Sequence, residues 1–416
     1  MIEKIKNLIY KISIKSQRIT ETDNVYIIKH GSYLMIGNII SIASSFLLSI
    51  AFARLLPQET YGQYNYILSI MAILAISSLH GINTAIIQGV SRGFEGVFKK
   101  GLEIKLKWGL FGSIGSIGVA LYFWLQNNSQ FAISFLIIAI FLPLFKSGEI
   151  YQSYLDGKKL FGKRATYSTL IQVLSTIIII FTLFLTRNLV ILILIYFLSY
   201  SLLRMLFLFL IIKKLKPNNT NSPGIITYGK HLSLLGIISI IVQQVDKILL
   251  FNFVGPIQLA IYSFATLPVE HVRTPLQLIQ EIALPKLSNR PNEDIKKTLP
   301  KKLFISTAII IAVIIIYFII SPYFFKILYP QYTDSIFYSR LFSLTLLVFP
   351  ISMMVLSIQA KMKTKELYKI NIISPSFQIV LMAILIPFYG ILGAIIAKLI
   401  SQVFYFFLAL YFFKKL

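Results

Sequence analysis

An all-α polytopic membrane protein is the fold class the sequence predicts, and three observations predict it. Hydrophobic residues make up 56% of the 416-residue chain and charged residues 13%, about half the charged share of roughly 25% in ordinary soluble domains. Ile, Leu and Phe fill runs of about 20 residues, the length a helix needs to cross a hydrocarbon core roughly 30 Å thick. The runs are solidly apolar, without the alternation of barrel strands, and lipid leaves the backbone only helices or closed barrels. About twelve spans follow, near 31–53, 64–89, 108–126, 131–155, 165–186, 189–212, 231–253, 258–284, 303–320, 335–360, 368–387 and 389–412.

The chain opens with a basic amphipathic stretch, Met1–Ile14, whose Ile2, Ile5, Leu8, Ile9 and Ile12 recur at helical spacing. It places segment 1–30 on the cytoplasmic membrane surface. Six spans fill 31–212. A polar, basic linker occupies 213–230, and 231–416 holds six more. Most of the 40 Lys and Arg residues fall in alternate connections: 1–30, 90–107, 156–164, 213–230, 282–302, 361–369 and the C-terminus. The opposite loops carry only Arg54, Arg187 and Lys326. Lys/Arg bias sets orientation, so both termini are expected in the cytoplasm, with Asn128 and Tyr332 outside. The net charge of +25 is therefore topological, and nucleic acid is not the expected partner. Gly112, Gly115 and Gly118 on the third span are expected to let helices pack closely. Cysteine is absent, which excludes disulfides and thiolate metal sites. No HExxH, GxSxG or paired-histidine spacing occurs, so no catalytic residue, metal or cofactor is expected.

The two halves echo one another. Gly37-Asn-Ile-Ile-Ser-Ile42 is similar to Gly236-Ile-Ile-Ser-Ile240, and Gly62-Gln-Tyr64 to Ala260-Ile-Tyr262. An even number of spans per half makes the repeats parallel, giving two six-helix lobes related by a pseudo-two-fold axis along the membrane normal.

Three segments carry a family resemblance. Ala53-Arg-Leu-Leu-Pro-Gln-Glu-Thr-Tyr-Gly-Gln-Tyr64 resembles the first-loop pattern of the polysaccharide transporters. Val245-Asp-Lys-Ile-Leu-Leu250 with Val254-Gly-Pro-Ile-Gln-Leu-Ala-Ile-Tyr-Ser263 is similar to their seventh-span pattern, with Ala260 where glycine is usual. Pro285-Lys-Leu-Ser288 fits the pattern after the eighth span. These Wzx-type O-antigen or repeat-unit flippases share a superfamily (MOP) with MATE drug exporters and the lipid II flippase. The resemblance implies a non-enzymatic transporter of the bacterial inner membrane. Its substrate would be an undecaprenyl-pyrophosphate-linked oligosaccharide, moved outward by alternating access. It also implies coupling to H+ or Na+, and polymerase and glycosyltransferase partners beside the membrane lipids.

Ionisable residues inside the spans point to a wet cavity, since each costs roughly 2.5–3.5 kcal/mol at mid-bilayer. Lys146, Arg204, Lys247, Arg273, Arg340 and Lys398 face only Glu149, Asp246 and Glu270. Lys146, Glu149, Ser153 and Asp156 share one face of the fourth span, as Glu270, Arg273, Gln277 and Glu281 share one of the eighth. His80, Asn83, Thr84 and Gln88 form a neutral polar stripe on the second. A cationic surplus favours an anionic ligand. Arg forks onto phosphate oxygens while Lys acts as a point charge, so Arg204 and Arg273 lead the candidates for pyrophosphate, followed by Lys146, Lys247 and Lys398. Asp246, Glu149 and Glu270 are the candidates for ion coupling, and Arg340 serves equally as an interface anchor. A MATE-like exporter of cationic drugs is the alternative, and would suit an acidic cavity better.

Overall fold

A computed structural model describes residues 24–222, 224–288 and 291–415. The amphipathic Met1–Ile14 lies outside the described residues, as do the side chains of Gln277, Glu281, Pro285, Lys286 and Ser288. Among the described residues all regular structure is helical. The helices are α1 (Asn24–Leu55), α2 (Gln58–Leu74), α3 (Gly81–Ser91), α4 (Gly96–Leu125), α5 (Ser129–Gly148), α6 (Ile150–Gly157), α7 (Phe161–Leu185) and α8 (Leu189–Leu215). There follow α9 (Ile225–Val242), α10 (Val245–Val254), α11 (Pro256–Ser288), α12 (Asn292–Leu328), α13 (Ser335–Ser343), α14 (Val348–Ala360) and α15 (Thr364–Lys414).

Nine helical stretches among the described residues are long and apolar enough to cross a bilayer, ten if the broken pair Gln58–Ser78 and Gly81–Ser91 counts as one. At 51 residues α15 would extend roughly 75 Å if straight, more than two hydrocarbon cores. It instead breaks at Gly390 (φ 53°, ψ −127°), giving two crossings. The 33-residue α11 has the length of a span but carries Glu270 and Arg273, which removes it from an apolar count. These two features account for the distance between the count and the twelve expected spans. The molecule is a multi-pass helical membrane protein.

Its contacts divide the chain into two compact units. The first holds residues through Ser49, Ala75–Thr186 and Val190–Leu234. The second holds Ile50–Leu74, Arg187–Leu189 and Leu235–Leu416.

Within the first unit, α4 and α5 form a tight hairpin because small residues line their seam. Ser113 donates to the Ala139 carbonyl at 2.6 Å and Ser116 to that of Phe135 at 2.7 Å. A Cβ on Gly109 would lie 3.0 Å from Pro143 Cα. In lipid, such close approach and hydroxyl bonding replace the hydrophobic drive of water. Gly112 is on this seam, but the expectation for Gly118 is corrected: it is exposed, and a Cβ there meets nothing within 4 Å. The seam steps from Gly109 to Ser113 and Ser116 because those positions repeat near one helical turn.

The lysine-rich end of this unit is strapped by the linker. Glu95 accepts hydrogen bonds from Lys158, from Tyr154 at 2.8 Å and from the Asn218 N–H at 3.3 Å. Gly96 N–H donates to the Thr220 carbonyl at 2.9 Å, and Lys99 to Asn219 at 2.9 Å. Burial pushes the Glu95 carboxyl up, but bonds from Lys158 and Tyr154 outweigh it and hold the group below its usual range. Three basic connections thus meet at one end.

In the second unit, Arg54 donates to the Ile327 carbonyl at 2.6 Å and Gln58 to that of Gln331. Lys296 reaches the Lys414 carbonyl at 3.4 Å. In the second unit, then, basic-poor connections meet one another, as do the basic connection 282–302 and the C-terminus. Cysteine labelling tests their sidedness. Tyr332 is fully buried and the Asn128 side chain caps α5, so Gln126→Cys and Asp334→Cys are the outer probes. They should react with an impermeant thiol reagent in intact cells, whereas Lys297→Cys and Lys363→Cys should react only after permeabilisation. Labelling at 297 from outside would reverse the orientation.

Candidate functional site

The break between α9 and α10 builds the site in the second unit. Asp246 falls in the first turn of α10, and its Oδ1 accepts the Lys247 backbone N–H at 2.8 Å. A helix N-terminus favours a carboxylate there. Its Oδ2 takes the Lys398 ammonium at 2.7 Å and the Tyr262 hydroxyl at 2.6 Å. Lys398 also donates to Tyr262 at 2.7 Å and stands 5.1 Å from the Phe342 ring centroid. Its ion-pair partner is Lys398, brought in by α15, and not Lys247 beside it in sequence. Three donors satisfy a carboxylate that is 1% exposed.

This triad forms one wall of a cavity of about 550 Å³. Lys247, Glu270, Arg273, Gln378 and Gln402 line other parts of it. Arg273 pairs with Glu270 at 2.8 Å, one helical turn away on α11. Their side chains are 28% and 48% exposed. Among the described residues Lys247 makes no ion pair. Five of the eight candidates for anion binding or ion coupling line this cavity.

The other three, Lys146, Glu149 and Arg204, meet in the first unit at a second helix break. Glu149 lies between α5 and α6, with Arg204 Nη1 at 2.8 Å and Lys146 Nζ at 3.7 Å. Arg204 also donates to the Phe145 carbonyl at 2.9 Å and stacks 4.1 Å over that ring. Gly148 lets α8 approach, since a Cβ would lie 2.8 Å from Arg204 Cβ.

One cation escaped the sequence reading. Lys105 was counted in a basic loop, yet α4 starts at Gly96 and carries it inward, where it is 2% exposed and donates to Asn83 at 2.8 Å. Its signal was the stripe Gly101, Lys105, Gly109 at four-residue steps, which puts it on the packed face. Arg340, counted among the interior cations, is a brace. It donates to the Phe318 carbonyl at 2.7 Å and to Ser321 at 3.1 Å, joining α13 to α12.

The family-like segments do more than line a cavity, to which they contribute Asp246, Lys247 and Tyr262. Ala53 and Leu56 are wholly buried, the Tyr61 ring lies tilted 4.6 Å from Phe264, and Tyr66 stacks 3.8 Å from Phe251. A Cβ on Gly62 would be 1.9 Å from the Pro256 carbonyl oxygen. The first-loop and seventh-span patterns are two sides of one packed joint.

The profile of the family described as "Polysaccharide biosynthesis protein" matches residues 27–289. The chain belongs to this family. No curated protein sequence matches it. Solved structures share its fold. An inward-facing MATE-family multidrug resistance transporter of the MOP superfamily aligns with a TM-score of 0.68 at 14% identity, over 90% of this chain and 95% of that one. The lipid II flippase MurJ in an inward closed conformation gives 0.65 at 16%, over 92% and 87%. A MOP superfamily transporter from Pyrococcus furiosus, described by the reverse polarity of its binding pocket, gives 0.61 at 14%, over 94% and 95%. The family member thus has the architecture of the MOP transporters, as the resemblance implied.

Proposed function

We propose that the protein is a flippase carrying polyprenyl-pyrophosphate-linked oligosaccharide from the cytoplasmic to the periplasmic leaflet of the inner membrane by alternating access. Its halves, 31–212 and 231–416 joined by 213–230, would be the moving lobes. The observation that supports this reading is cationic excess in both interior clusters. Lys105, Lys146 and Arg204 surround Glu149 alone, and Lys247, Arg273 and Lys398 face Asp246 and Glu270. Such sites attract an anion, and an exporter of cationic drugs would need the opposite sign. Pyrophosphate supplies the anion, with Arg273 forking onto it and Lys247 adding an unpaired charge. All three acids considered for coupling pair with cations, but Glu270 is the most exposed of them at 48%, so it is the first choice for H+ or Na+.

The two arginines separate under mutation. Arg273 and Glu270 form a partly solvated pair, worth about 0–1 kcal/mol, so Arg273→Ala should keep near-normal membrane levels while surface glycan falls. Arg273→Lys should restore it only in part, because the fork is lost. Arg204→Ala should lower protein abundance as well, since it removes the Glu149 pair, a carbonyl bond and a ring contact together. Normal surface glycan in Arg273→Ala cells would remove that residue from the site.

A further inference from the structure

Three cavities in the second unit lie in series, each sharing lining residues with the next. The cationic cavity ends at Arg273 and Val348, and the same two residues begin a smaller space of about 220 Å³. That space ends at Leu276 and Phe349, which in turn begin a groove of about 350 Å³ between α11, α12 and α14. Among the described residues its walls are hydrocarbon, chiefly Leu287, Leu303, Ile309, Ile310 and Met353, with Ser306 and a single charge, Lys302. Lys302 belongs to the basic connection 282–302, assigned to the cytoplasmic side by its lysines. Between cavity and groove, Gln280 donates to Ser352, and both line the smaller space.

We infer that the groove is a binding site for the proximal isoprene units of a polyprenyl phosphate carrier. The inference rests on the flippase reading above. Its chemistry is that of an amphiphile: a cationic pocket at one end and an apolar channel reached past Arg273 at the other. A water-soluble anion would fill only the first. The groove is too small for a long polyprenyl chain, so the distal units lie in the bilayer. Holding the first units beside Arg273 places the attached phosphate in the cationic cavity while the Gln280–Ser352 bond opens around the chain. Burial of apolar chain supplies affinity in proportion to the area removed from water, and orients the head before translocation.

The test uses the full chain in phospholipid nanodiscs and a polyprenyl phosphate bearing a diazirine in its first isoprene unit. Light should attach the probe to α11, α12 or α14 within Leu276–Leu287, Leu299–Ile310 or Phe349–Met353. Excess unlabelled polyprenyl phosphate should suppress the attachment; inorganic pyrophosphate alone should not. Ser306→Trp and Met353→Trp, which fill the groove without touching the cations, should lower labelling about tenfold, the loss expected from expelling about two methylenes. Pyrophosphate binding should be unchanged in both variants, which shows that they fold. Equal labelling by a diazirine phospholipid would make the groove an ordinary acyl-chain site and overturn the proposal, as would labels spread over lipid-facing helices. Flipping without groove labelling removes the tail site and keeps the transport reading. Groove labelling without flipping keeps the tail site and removes that reading.

Discussion

Asp246→Ala should lose the protein from the membrane, not merely silence it. The carboxylate is buried and accepts from the Lys398 ammonium, the Tyr262 hydroxyl and the Lys247 amide. Removing it leaves Lys398 without its counter-charge, and breaking a buried pair from one side costs about 3–5 kcal/mol. Lys398→Met in the same chain removes the stranded ammonium, so the double variant should recover most of its abundance while remaining defective in transport. Asp246→Asn should be milder, because an amide keeps a hydrogen bond with Tyr262. Abundance in membrane fractions, read beside thermal unfolding in detergent, checks all three. Wild-type abundance in Asp246→Ala would show that the triad is not structural and would return Asp246 to the coupling role.

Gly62→Ala is expected to have the second large effect, in a residue outside both charged clusters. The added methyl would stand 1.9 Å from the Pro256 oxygen, 2.6 Å from its carbon and 3.0 Å from its Cα. All three atoms are backbone, so no rotamer change relieves the overlap. Overpacking costs about 1–3 kcal/mol where neighbours can yield, and here α2 must lift from the start of α11. The Tyr61–Phe264 and Tyr66–Phe251 ring contacts would be lost with it. A fall in unfolding temperature of the purified protein is the readout. Gly118→Ala is the control, since its methyl meets nothing within 4 Å. It should be neutral or stabilising by up to about 1 kcal/mol, alanine being the better helix former. Equal stability of the two variants would contradict the packed joint.

Much of the fold was legible because a bilayer imposes simple demands on composition and length. Local spacing also revealed Lys146 with Glu149 and Glu270 with Arg273, each pair three residues apart in sequence. What depended on tertiary approach was not legible. Arg204 reaches Glu149, and Lys398 reaches Asp246, across long stretches of sequence that no periodicity encodes. Lys105 was misplaced because a helix that begins in a basic segment can carry a lysine inward, and charge alone marks the segment as loop. Gly62 stood out as part of a pattern, but only the carbonyl of Pro256 explains why glycine is needed there.

Reconstituted vesicles test the central claim most directly. A fluorescent polyprenyl-pyrophosphate-linked sugar is placed in both leaflets, and the fraction exposed to a membrane-impermeant quencher is followed in the presence of wild-type protein, Arg273→Ala or Lys247→Ala. The account predicts rapid exchange with the wild type, little with either variant, and no accumulation of a cationic dye in the same vesicles. Dye transport without movement of the glycolipid would contradict it.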